Sequence, residues 1–153
     1  MLLTGVKGDA MAGKIDFGEI HHIRLTVTDY ERSRAFYTGL LGFEVAAEAP
    51  KSDDPKSDPS YPVLWGGCVM AKGTYLLGLR PVAGKGDAFD EDRVGLDHLS
   101  FHIESRDALN EAIRMLDVNH VPHGPVRELP DFGICVLPFR DPDNIQLELT
   151  SPL

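Results

Sequence analysis

A chain that matches itself is tightly constrained, because each copy must form the same unit and the two must share or divide a core. Sliding this 153-residue sequence by 76 positions lays His22 on His98, Ile23 on Leu99, Leu25 on Phe101, Val27 on Ile103 and Leu40 on Leu116. The second copy has a shorter loop, and at an offset of 70 Leu77-Gly78-Leu79 falls on Leu147-Glu148-Leu149. Amphipathic segments match in their apolar positions by chance; that does not account for coincident histidines. The sequence therefore reads as a duplicated module.

The period of the apolar residues gives the content of each copy. Ile23, Leu25 and Val27 alternate with His22, Arg24 and Thr26, as on a strand with one greasy and one polar face. Thr28 or Asp29 can cap a following helix, whose stripe of Ala35, Phe36, Leu40 and Leu41 ends at Gly42. Phe43 to Ala47 reads as a second strand, residues 49–62 as an exposed loop rich in Pro, Ser and Asp, and Val63 to Ala71 with Thr74 to Arg80 as a hairpin turning at Lys72-Gly73. After a glycine-rich linker the order restarts. Leu99, Phe101 and Ile103 alternate with His98, Ser100 and His102, Ser105 opens a helix over residues 106–119, proline-broken strand runs follow, and Ile145 to Thr150 makes a last alternating strand. The prediction is an α+β protein with a tail at 1–17, a first βαβββ module at 18–80, a linker at 81–94 and a second βαβββ module at 95–153.

Charge narrows the partners. With 24 acidic and 15 basic side chains the net charge is -9, which opposes binding that relies on neutralising phosphates, so nucleic acid is not expected. No run reaches the ~18 apolar residues of a bilayer span, and residues 1–18 lack a compact apolar signal core, so no membrane partner and a cytoplasmic location are expected. Cys68 and Cys135 form no CxxC pair and read as buried, reduced thiols.

Three residues on polar strand faces carry metal chemistry. His22 and His98 occupy equivalent places in the repeat, and Glu148 lies on the last strand. Two imidazoles and a carboxylate suit a divalent first-row metal and leave positions open for water and substrate. The bland alternative for each is a hydrogen-bonded strand histidine or a solvated glutamate, and for the three together a salt-bridged polar core.

The segments HHIRLTVTDYERSRAFYTGLLGFEV (21–45), GLDHLSFHI (95–103) and FRDPDNIQLEL (139–149) resemble the vicinal oxygen chelate superfamily, and the order of elements agrees from residue 20 onward. Its members include glyoxalase I, extradiol dioxygenases, fosfomycin-resistance thiol transferases and bleomycin-binding proteins. The resemblance implies paired modules forming a cup-shaped mixed sheet around one divalent ion (Fe, Mn, Ni or Zn), held by His22, His98 and Glu148. It also implies a homodimer and a small-molecule substrate that chelates the metal through adjacent oxygens. Glyoxalases of the family carry a carboxylate ligand and base where this chain has Gly78, so lyase, isomerase, thiol-transferase and dioxygenase chemistries stay open.

Beside the metal, Arg24 lies two residues past His22 on the same face, ~7 Å along the strand, and is expected to reach an anionic or enediolate oxygen. Arg80, on the face of Gly78, is a candidate substrate-binding residue. His102 lies ~13 Å from His98, too far to share its metal, and is a candidate acid–base group. His21, on the face opposite His22, is expected to be structural or exposed, as are the loop residues His120 and His123. Asp141-Pro142-Asp143-Asn144 reads as a turn that aims the last strand, with Asn144 left-handed. The expectation is an enzyme; the alternative is a bleomycin-resistance-like binding protein that uses the same cup without metal chemistry.

Overall fold

The computed structural model describes residues 13–153; of the tail expected at 1–17, residues 1–12 lie outside the described residues, and 13–17 are exposed without regular structure. In chain order come β1 (Ile23–Thr26), α1 (Tyr30–Ala35, continued by a π-helical turn over Phe36–Leu40), β2 (Glu44–Glu48), α2 (Tyr61–Leu64), β3 (Cys68–Lys72) and β4 (Tyr75–Arg80). Then follow β5 (Leu99–His102), α3 (Arg106–Val118), β6 (Arg127–Leu129), β7 (Ile134–Arg140) and β8 (Gln146–Pro152). Two four-stranded mixed sheets result, ordered β1-β4-β3-β2 and β5-β8-β7-β6, each with one parallel pair at its edge. The repeat seen in the sequence is thus one topology built twice.

Register makes the equivalence exact to the residue. Arg24 pairs with Gly78 in β1 and β4, and Ser100 pairs with Glu148 in β5 and β8. Gly78 is therefore the counterpart of Glu148, with no slip of one residue that would replace it by a leucine.

Local chemistry sets the element ends. Asp29 caps α1 by accepting from the Arg32 N–H at 2.9 Å, and Ser105 caps α3 by accepting from Ala108 N–H at 3.2 Å. Gly42, with φ 68°, releases the chain toward β2, and Asn144 takes φ 65° in the turn before β8, as its sequence context predicts. Two expectations change. The strand predicted from Val63 begins at Cys68, because Pro62 opens the helical turn α2 and Gly66 at φ 74° redirects the chain. Pro138 does not break β7: its carbonyl accepts from Gly124 N–H at 2.8 Å, so its missing donor faces the side where β6 has already ended.

The greasy faces of both sheets, with α1 and α3 laid on them, merge into one core containing Leu25, Val27, Tyr37, Met70, Leu79, Leu109, Leu137, Phe139 and Leu147. Phe43 and Phe101 meet edge to face across the modules, with centroids 6.1 Å apart. The polar faces, with Arg24 and Gly78 on one and Ser100 and Glu148 on the other, turn away from this core.

A polar clamp joins the halves. Asp143, 6% exposed, accepts from Thr28 N–H at 3.0 Å, Thr28 Oγ1 at 2.5 Å, Arg32 Nη2 at 2.5 Å and Ser33 Oγ at 3.4 Å. Asp141, in the same turn, accepts from Tyr37 Oη at 3.0 Å and from the N–H groups of Asp143 and Ile145, each at 2.8 Å. Burial raises both the Asp141 carboxyl and the Tyr37 hydroxyl above their ordinary pKa values. The turn therefore does more than aim β8: it docks the second module on the first turn of α1. Asp143→Ala strands the Thr28 and Ser33 donors and is expected to cost about 3 kcal/mol in urea unfolding, with the m-value retained.

Candidate metal centre

His98 precedes the first residue of β5, and this placement matters. On a strand, neighbours face opposite ways, but ahead of the ladder the side chain of Asp97 can fold back on the ring, and its Oδ1 engages His98 Nδ1 in a short hydrogen bond. With Nδ1 directed at a carboxylate, Nε2 is the nitrogen that faces Glu148, donating to it when the ring is protonated and offering a lone pair beside it when the ring is neutral. Nε2 lies 3.3 Å from Glu148 Oε2. That is the separation of two donors bound at ~2.1 Å to one ion, at an angle between a right angle and the tetrahedral one. Glu148 sits opposite Ser100 and is partly buried, so the pair is rigidly based on the β5·β8 edge. These residues fit a divalent metal.

His22 stands apart from them. It precedes β1, and its Nδ1 lies 2.9 Å from Nδ1 of His21, the two rings meeting edge to face. The sequence reading set these histidines on opposite faces; they meet because the alternation starts only at Ile23. When His22 Nδ1 donates in this pair, its Nε2 keeps a lone pair for a ligand. Among the described residues no three His, Cys, Asp or Glu side chains converge on one point. His22 is thus not brought together with His98 and Glu148 within one chain.

Arg24 and Arg80 flank Gly78. Arg24 lies across the glycine, where a Cβ would come within 2.9 Å of its Nε, and its Nη1 donates to the Val63 carbonyl at 2.7 Å. The guanidinium of Arg80, expected to be solvent-exposed at the strand end, is half-buried and stacked 3.9 Å over the ring of Trp65. Trp65 itself holds φ 56° and ψ 32°, a left-handed conformation costing about 1 kcal/mol or more, which its N–H bond to the Tyr61 carbonyl at 2.7 Å helps maintain.

His102 is exposed at the end of β5 opposite Thr150 and makes no side-chain hydrogen bond among the described residues. His123, expected to be structural or exposed, lines a cleft of about 420 Å³ together with Glu148, Arg127 and Arg140. Its Nδ1 is 2.9 Å from the Gly124 carbonyl and its Nε2 3.0 Å from Asp117 Oδ1. Sequence reasoning missed Asp97 and Asp117. The carboxylate adjoining His98 is a visible signal for the first; for the second, only the fold reveals the approach of α3 to the loop.

A family model described as Glyoxalase/Bleomycin resistance protein/Dioxygenase superfamily matches residues 19–149. The chain is 31% identical over 131 residues to the uncharacterized protein YwkD of Bacillus subtilis, covering 85% of this chain and 94% of that one. It is similar to a glyoxylase/bleomycin resistance protein/dioxygenase domain from Frankia sp. EAN1pec (TM-score 0.68, 29% identity, 90% of this chain and 94% of that one). The fold also matches a mutant of the fosfomycin resistance protein FosX from Listeria monocytogenes, complexed with Mn(II) and 1S,2S-dihydroxypropylphosphonic acid (TM-score 0.68, 18% identity, 90% and 95% covered).

Because both ring nitrogens of His123 face acceptors, the imidazolium is favoured, and Asp117 first, then the Gly124 carbonyl, hold its pKa above the usual 6.5. Its contribution to stability is present below that ordinary value and fades as pH rises through the raised one. An NMR titration is expected to show His123 titrating above 6.5, and Asp117→Asn is expected to bring it down.

Proposed function

Since the chain belongs to the Glyoxalase/Bleomycin resistance protein/Dioxygenase superfamily, we propose that it is a divalent-metal-dependent enzyme whose small substrate chelates the metal through vicinal oxygens. The observation that carries this reading is the His98–Glu148 pair at 3.3 Å, with Asp97 fixing the imidazole tautomer. When bound, the metal supplies electrophilic polarisation of the substrate oxygens.

The working unit is a homodimer. His22 does not converge with His98 and Glu148 within one chain, so a second copy supplies the missing donor: each site takes His22 from one chain and His98 with Glu148 from the other. Supporting this, the segments that run into both histidines carry exposed apolar side chains: Ile15, Phe17 and Ile20 before His22, Val94 and Leu96 before His98. Arg24 and Arg80 would then border the metal and bind substrate oxygens from the side of His22. His102, on the face of Glu148, is the proposed acid–base group at the rim.

Elemental analysis of protein purified without chelator is expected to give one metal per chain, with large loss in Glu148→Ala and a 10- to 100-fold weaker affinity in Asp97→Ala. Unfolding and refolding His22→Ala and Glu148→Ala chains together in equal amounts tests the shared site. Random pairing restores one intact site in each mixed dimer, or about one quarter of the parent metal content. No recovery would sink the shared site. A parent that neither holds nor takes up metal would return the protein to the ligand-sequestering alternative.

A further inference from the structure

Resting on that reading of the site, we propose that Arg24 and Arg80 together form a receptor for an oxyanion on the substrate: a carboxylate, a phosphonate or a phosphate monoester. Five arginines, Arg32, Arg34, Arg106, Arg114 and Arg140, are each paired with a carboxylate. Neither Arg24 nor Arg80 has such a partner among the described residues, in a chain where acidic side chains outnumber basic ones by 24 to 15. An unpaired, half-buried guanidinium is the exception here.

Shape holds both groups where charge does not. Arg24 is accommodated by the missing side chain at Gly78 and tied by one bond to the Val63 carbonyl; Arg80 is held by the face of Trp65. These contacts fix position without neutralising charge. The Nε–H of each is buried and has no acceptor among the described residues, so only the remaining nitrogens of each fork are open to an anion. Arg34 Nε also lacks a well-aligned bond, yet it lies 3.0 Å from the carboxylate of Glu48. Among the described residues no carboxylate pairs with the other two within 4 Å, although Asp87 and Asp90 line the same cavity as Arg24.

Placement on the sheet brings them together. Arg24 lies over Gly78, and Arg80 is two residues farther along β4 on the same face, ~7 Å away. Two guanidinium forks at that distance can share the oxygens of one planar or tetrahedral anion. Glycine at 78 is then the condition for the receptor: any side chain there would push into Arg24 Nε and Cγ, at 2.9 and 3.4 Å from the new Cβ. The position equivalent to Glu148 has exchanged a potential carboxylate for space that an arginine fills.

The test uses chelator-treated full-length protein titrated with inorganic phosphate, methylphosphonate and acetate, against chloride at matched ionic strength. Trp65 is the chain's one tryptophan and touches Arg80, so its emission reports on the site, with calorimetry as a second readout. Saturable binding of at least one oxyanion, absent with chloride, is expected. Arg24→Ala and Arg80→Ala are each expected to weaken it tenfold or more. Gly78→Ala, which keeps both arginines but displaces one, is expected to weaken it similarly, which covers the case in which an arginine variant fails to fold. Glu148→Gln should lose metal and keep the anion, so the metal reading and the receptor fail separately. No saturable binding in the parent, or parent-like binding in Arg24→Ala and Gly78→Ala, would overturn the proposal.

Discussion

Two carboxylates on one four-residue turn hold this molecule together. Asp141 and Asp143 are buried, and between them they accept seven hydrogen bonds from Thr28, Arg32, Ser33, Tyr37 and their own backbone. Their turn belongs to the second module, while the side chains and the Thr28 N–H that satisfy them belong to the first. The linker is fastened to the same point: Phe89 N–H donates to the Asp143 carbonyl at 2.8 Å, Asn144 Nδ2 donates to the Phe89 carbonyl at 2.9 Å, and Arg140 grips Glu91. A buried carboxylate tolerates no loss of its donors, so this polar knot sets the angle between the modules more sharply than the apolar core, which has no directional bonds.

From that fixed angle comes the division of the site. Each sheet puts its greasy face and helix into the shared core, which leaves the two polar faces turned away from it. Among the described residues His22, His98 and Glu148 do not converge on one point within a chain. The copies have also diverged in complementary ways. One face keeps an imidazole and a carboxylate; the other keeps an imidazole and substitutes a glycine and an arginine for the second carboxylate. Two such faces opposed across a dimer would set a metal-binding half against a cationic half.

Much of this was legible before any coordinates. Both modules, both helix caps, the Gly42 exit, the left-handed Asn144 and the equivalence of Gly78 with Glu148 follow from period and offset, because alternation and capping are local. Where the reading failed, the cause was also local. Val63 to Leu64 looks like strand, yet Pro62 and Gly66 impose a helical turn; Pro138 looks like a break, yet its missing N–H faces the side where β6 has already ended. His21 and His22 were set on opposite faces by extending the alternation two residues too far.

The sequence by itself determined the duplicated βαβββ units, the family and the identity of the three candidate ligands, since these depend on spacing along the chain and on side-chain chemistry. Tertiary structure alone decided the rest. It joined His98 to Glu148 and Asp97, kept His22 apart, laid Arg24 over Gly78 and set Arg80 on Trp65, and sank the turn acids into the junction between modules. The physical reason is the same in each case: a periodic pattern says which face a side chain takes, whereas what stands opposite that face depends on how two rigid sheets are docked.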